Sequence, residues 1–179
     1  MDERRPAPPQ SPRPEFSRIV SVAHLGEGDE VHRLAADAAE RAALARRFGL
    51  LALERFEVEA RLSRERGGGV RLAAQIAAEL VQECVVSLEP VAGLIAEEFT
   101  LFYRPGASDR HEVVEAEAEE VEPLVGDEVD IGEAAAQQLS LAIDPFPRAP
   151  GAHLPAPPED TGAALPHPFA ALERLRRRR

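Results

Sequence analysis

The chain has 179 residues, 30% of them charged, and carries a formal net charge of −11. That length holds one modest domain, and the acidic balance excludes a protein that wraps bare nucleic acid by charge alone, because such domains run strongly basic. A single cysteine, Cys84, excludes an intramolecular disulfide framework and a cysteine-cluster zinc site, and no stretch approaches the ~18 uninterrupted apolar residues of a membrane span.

Residues 1–14 are rich in proline and charge with no apolar run, which predicts a disordered leader without a signal peptide. From Phe16 to Val22 the text becomes β-prone and ends at a Gly-rich turn, so a first strand is expected there and a short second one over Val31 to Leu34. Asp37 and Glu40 have capping-box spacing, which starts a helix at Ala38. Gly49, able to adopt the left-handed conformation, ends it, and Leu50 follows for the usual hydrophobic contact.

Phe56, Val58, Ala60 and Leu62 alternate with polar residues, the signature of a strand with one face in a core. Gly67, Gly68 and Gly69 turn the chain, and alternation resumes from Val70 through Leu80 and on through Cys84, Val86 and Leu88 in the same phase. A straight strand of that length would span ~60 Å at ~3.3 Å per residue. A bend or bulge near Gln82 is therefore expected, and with it a curled sheet. Pro90 is expected to end that strand, with a third long strand through Ile95, Phe99, Leu101 and Tyr103.

Residues 112–133 carry Glu112, Glu115, Glu117, Glu119, Glu120, Glu122, Asp127, Glu128, Asp130 and Glu133 and no basic residue. Asp130 and Glu133 repeat the capping-box spacing, and a second amphipathic helix is expected from Ile131 to Ile143, stopped by Asp144 and Pro145. Residues 147–168 contain seven prolines and read as a loose linker. Phe169, Leu172 and Leu175 then make a short amphipathic piece ending in Arg176–Arg179. The expected architecture is thus α+β: a disordered leader (1–14), a curled antiparallel sheet of meander or hairpin type packed with about two helices (15–146), and a proline-rich linker with a basic tail (147–179).

The chemistry-bearing residues are sparse. Cys84 is in phase with the apolar face and reads as a buried structural thiol. The five histidines are scattered without ligand spacing, so no metal and no cofactor is expected. The triple glycine lacks the following Lys-Ser/Thr of a phosphate loop, and no nucleophile has a neighbouring base, so an enzyme is not expected. Arg46 and Arg47 at the helix end, with Arg61, Arg64, Arg66 and Arg71 at the hairpin, form a candidate RNA-contacting patch, since the planar guanidinium suits phosphate and unpaired bases. Against it, Arg46 and Arg47 also suit a helix C-terminus, and Glu57, Glu59 and Glu65 lie close by. Glu115, Glu117, Glu119 and Glu120 are candidate contacts to a basic protein, against the plainer reading of a solvated loop.

Val81 to Pro90, with Cys84, Leu88 and Pro90, resembles the central motif of the YceD family. Glu128 to Pro145, with Asp130, Glu133 and Leu141, resembles its second motif. Pro166 to Leu172, with Pro168 and Phe169, is similar to the family's tail, with His167 where an Asn is usual. The resemblance spans Phe16 to Leu175. It implies a part in large-subunit (23S) ribosomal RNA accumulation or assembly in the cytoplasm, with no catalytic residues to carry over. Two readings follow: a non-enzymatic assembly factor that binds precursor RNA or a ribosomal protein, and a protein-only adaptor or chaperone for a basic ribosomal protein. Neither calls for a membrane or a small-molecule substrate.

Overall fold

The computed structural model describes residues 14–26, 28–65, 67–106 and 121–153. The expected leader up to residue 13, Arg66, Glu115, Glu117, Glu119, Glu120, Pro168, Phe169 and the basic tail lie outside them. In chain order the elements are β1 (Ile19–Ser21), β2 (Glu30–Ala35), α1 (Ala38–Phe48), β3 (Ala52–Arg64), β4 (Val70–Glu83), β5 (Pro90–Pro105), β6 (Val121–Leu124), β7 (Glu128–Asp130) and α2 (Ile131–Ala142). The α+β architecture is the one expected, and the sheet stays open.

The main sheet has five strands in the order β2-β3-β4-β5-β6, antiparallel except for the parallel pair β5 and β6. Its register explains its burial. Phe56 sits opposite Ala78, Val58 opposite Ile76, Ala60 opposite Ala74 and Leu62 opposite Leu72, and all eight are buried. The period of two puts every intervening residue of β3 on the opposite face, where Arg55, Glu57, Glu59 and Arg61 meet water. The buried face takes α1, α2 and the N-terminal segment. Leu44, Ile131, Leu139 and Phe16 are 0% exposed, and the Phe16 and Phe56 rings meet 5.3 Å apart at a 59° tilt, an arrangement that suits the ring quadrupoles.

α1 begins and ends where its caps place it. Asp37 accepts from the Ala39 and Glu40 amides, the Glu40 carboxylate accepts from the Asp37 amide, and Gly49 adopts φ 68°. α2 departs from the expected capping box. Asp130 accepts from the Glu133 amide, but the Glu133 carboxylate turns away to the Arg47 guanidinium at 2.8 Å. Asp130 also accepts from the Ser17 hydroxyl and the Arg18 amide. That carboxylate ties the N-terminal segment to the start of α2, while β1 pairs with β7 in a second, two-stranded sheet.

Several expectations need correction. β4 stops at Glu83 rather than running to Leu88, and Pro90 starts β5 instead of ending its predecessor. Cys84 to Leu88 form a turn in which the Leu88 amide donates to the Cys84 carbonyl, so the apolar phase through Cys84, Val86 and Leu88 is coincidental with the strand period. No bulge lies near Gln82: β4 pairs with β5 without a break from Val70 opposite Tyr103 to Glu83 opposite Pro90. The register shift is on β3, between Leu53 and Arg55. β1 is shorter than Phe16 to Val22, and β6 and β7 were not expected at all. Both are short and lie within the acidic run, where charge hides the strand pattern.

Candidate functional site

The described arginines proposed for RNA do not form one surface. Arg46 and Arg47 close α1 on the core side of the sheet, while Arg61 and Arg71 belong to β3 and β4 on the far face. Most have carboxylate or carbonyl partners. Arg47 bridges Glu15 and Glu133, and its proton is held well above the ordinary arginine range, first by the Glu133 hydrogen bond. Arg61 reaches Glu59, which also accepts from Arg33. Arg71 lies 3.6 Å from Glu65. Arg64 turns back to donate to the carbonyls of Leu25, Val22 and Ala23, pinning the loop after β1. Exposed pairs of this kind are each worth only ~0–1 kcal/mol, so an arginine could leave its partner. The carboxylate would remain beside it and cancel the field a phosphate needs. Arg46 is exposed and has no ion pair among the described residues.

The acids are distributed differently. Glu59 and Glu79 meet arginines on β2 and β3. By contrast Glu83, Glu97, Glu122, Asp127 and Glu128 have no ion pair among the described residues. Glu97, Glu122, Asp127 and Glu128 lie on β5, the edge strand β6 and the turn into β7, while Glu83 ends β4 opposite Pro90 at the other end of β5; residues 107–120, which hold Glu115, Glu117, Glu119 and Glu120, join β5 to β6. Carboxylates without an ion pair therefore lie along β5, β6 and the turn into β7, and also at Asp29 and Glu54 toward β2 and β3. The far face carries a concavity of about 540 Å³, lined by Ala35, Ala77 and Ala96 with Glu57, Glu59 and Glu98 around it. Glu57 bonds Arg55 and Glu98 accepts from Gln75, while Glu97, also on the lining, is exposed with no ion pair among the described residues.

Cys84 is 0% exposed and its sulfur accepts three amides, from Ala149 at 3.2 Å and from Val86 and Ser87 at 3.4 Å. These donors, Ala149 first and then Ser87, outweigh burial and pull the thiol down to about 6. In the same turn the Leu88 amide donates to the Cys84 carbonyl, the Cys84 amide to the Glu89 carbonyl and the Val85 amide to the Pro147 carbonyl, and Pro90 follows as the first residue of β5. A thiol depressed in the folded state adds stability that is complete above its unfolded pKa of ~8.5 and disappears as pH falls through the folded value. The urea midpoint of the wild type minus that of Cys84→Ala is therefore expected to widen from pH 6 to pH 8.5. A pH-independent difference would show a neutral sulfur.

Sequence reasoning missed three features: the triple duty of Asp130, the carbonyl-binding role of Arg64, and the exposure of Leu88 and Phe146. Only the first had a signal, in the capping-box spacing. Leu141, read as a motif residue, is 76% exposed on α2. Among the described residues no group of His, Cys, Asp and Glu side chains is placed to hold a metal ion, and no helix is long and apolar enough to cross a membrane.

Among known families, the sequence model of one described as Large ribosomal RNA subunit accumulation protein YceD matches residues 72–176. No curated protein and no solved structure matches the chain.

Proposed function

The chain belongs to the YceD family of large ribosomal RNA subunit accumulation proteins, and from that premise we propose that it acts in the cytoplasm without catalysis, by holding a basic ribosomal protein during large-subunit assembly. The observation that supports this reading is the asymmetry of charge. The described arginines offered to RNA are divided between two faces: Arg47, Arg61 and Arg71 are paired with Glu15, Glu133, Glu59 and Glu65, Arg64 is taken up by backbone carbonyls, and Arg46 has no ion pair among the described residues. Glu97, Glu122, Asp127 and Glu128 have no ion pair among the described residues and lie on β5, β6 and the turn into β7, and the connection that joins β5 to β6 carries Glu115, Glu117, Glu119 and Glu120. Complementary potentials steer a basic partner to such an edge and disfavour a polyanion. Fewer RNA contacts are needed if rRNA accumulates because the protein that protects it is delivered.

Replacing Glu115, Glu117, Glu119 and Glu120 together by Gln is expected to weaken capture of the ribosomal protein at least tenfold, about 1.4 kcal/mol, and to flatten its salt dependence. Replacing Arg46, Arg61 and Arg71 by Glu is expected to leave capture intact. The reverse pattern, measured by co-purification from cells, returns the function to an RNA-binding factor.

A further inference from the structure

The turn between β4 and β5 presents apolar side chains to water on a rigid base. Leu88 is 66% exposed and has φ 62°, a left-handed conformation that a bulky side chain adopts only at a cost. Phe146 is 69% exposed and Val85 47%. The three belong to one bonded cluster: Val85 donates to the Pro147 carbonyl, Ala149 donates to the Cys84 sulfur, and Gln82 donates to the Asp144 carbonyl. Glu83, Glu89 and Asp144 flank it, all exposed, against one exposed arginine, Arg148. Apolar anchors inside an acidic rim, already ordered before binding, are the anatomy of a docking site for an amphipathic basic segment.

The chain carries such a segment. Phe169, Leu172 and Leu175 recur every third residue and are followed by Arg176 to Arg179. We propose that this C-terminal segment docks on the tip of the β4–β5 turn, its apolar residues against Val85, Leu88 and Phe146 and its arginines beside Glu83 and Glu89. Reach is sufficient. The described chain ends at His153, close to Ala149 and so to Cys84, and fifteen residues lie between His153 and Phe169. Even as a stiff polyproline segment at ~3.1 Å per residue they span ~50 Å. Tethering makes the local concentration of the tail on the order of millimolar, so a weak contact is populated. The family match begins within β4 and continues to residue 176, placing tip and tail in one matched stretch.

The test uses the full chain, isotopically labelled, and reads nuclear Overhauser contacts between the Phe169 ring and the Val85 and Leu88 methyl groups. The expected result is that these contacts are present at dilute protein and lost in Leu172→Asp and in Glu83→Arg with Glu89→Arg. They return when the latter pair is combined with reversal of Arg176, Arg177, Arg178 and Arg179 to Glu. Unchanged methyl shifts of buried Val58 and Leu72 show that the fold persists in each variant. Absence of the contacts in the wild type overturns the proposal and leaves the tip for another protein. Contacts that vanish on dilution also overturn it, because the tail then docks on a second copy.

Discussion

Gly132→Ala is expected to destabilise the folded chain by about 3 kcal/mol, although the same change in an ordinary helix stabilises by ~1 kcal/mol. A β-carbon at that position would lie 2.6 Å from the Phe16 carbonyl oxygen and 2.9 Å from the Arg18 amide nitrogen. Both are backbone atoms, so no side-chain rotation relieves the clash. The N-terminal segment must lift from α2, which breaks the 3.0 Å bond from the Ile131 amide to the Arg18 carbonyl and unseats Phe16 from Phe56. Urea denaturation measures the loss. A gain in stability would mean that the segment is not seated on α2.

Asp130→Ala is expected to lose about 3 kcal/mol as well, more than the ~1 kcal/mol of a helix cap, because its carboxylate serves the Ser17 hydroxyl, the Arg18 amide and the Glu133 amide together. Hydrogen bonds to a charged group contribute ~1.5–3 kcal/mol each when a partner is stranded, and their shared acceptor makes the sum less than additive. Asp130→Asn keeps an acceptor oxygen without the charge and is expected to lose about half as much. Thermal denaturation distinguishes the cases. A loss below about 1 kcal/mol for the alanine variant would reduce Asp130 to a cap.

Both predictions concern a junction that the sequence shows only in part. The elements written by local chemistry were legible: α1 from Asp37, Glu40 and Gly49, and the β3–β4 hairpin from its alternating apolar residues and its glycines. These signals act within a few residues, so the order of residues contains them. The turn at Cys84 was not legible, because its apolar residues continue the strand period while the chain has already left the sheet. Local bonds close it, and a bond from Ala149, 65 residues away, holds it against the chain after α2. β6 was hidden by the acidic run, and its parallel pairing with β5 depends on a connection rather than on a local pattern.

The candidate site follows the same division. Charge content is readable from composition, and so is the acidic run of residues 112–133, of which 112–120 lie outside the described residues. Charge pairing is not readable. Arg47 meets Glu133 across 86 residues and Arg64 meets the Leu25 carbonyl across 39, contacts that no spacing rule anticipates. A patch drawn from Arg46 to Arg71 therefore combined groups that the fold assigns to helix packing, loop anchoring and surface pairs.

The most direct measurement is ultraviolet crosslinking of the tagged full chain in cells, with sequencing of bound RNA and mass spectrometry of co-purified proteins at moderate salt. Recovery of a basic large-subunit ribosomal protein without discrete RNA sites is the expected result. Discrete crosslinks to large-subunit RNA with no ribosomal protein recovered would contradict it.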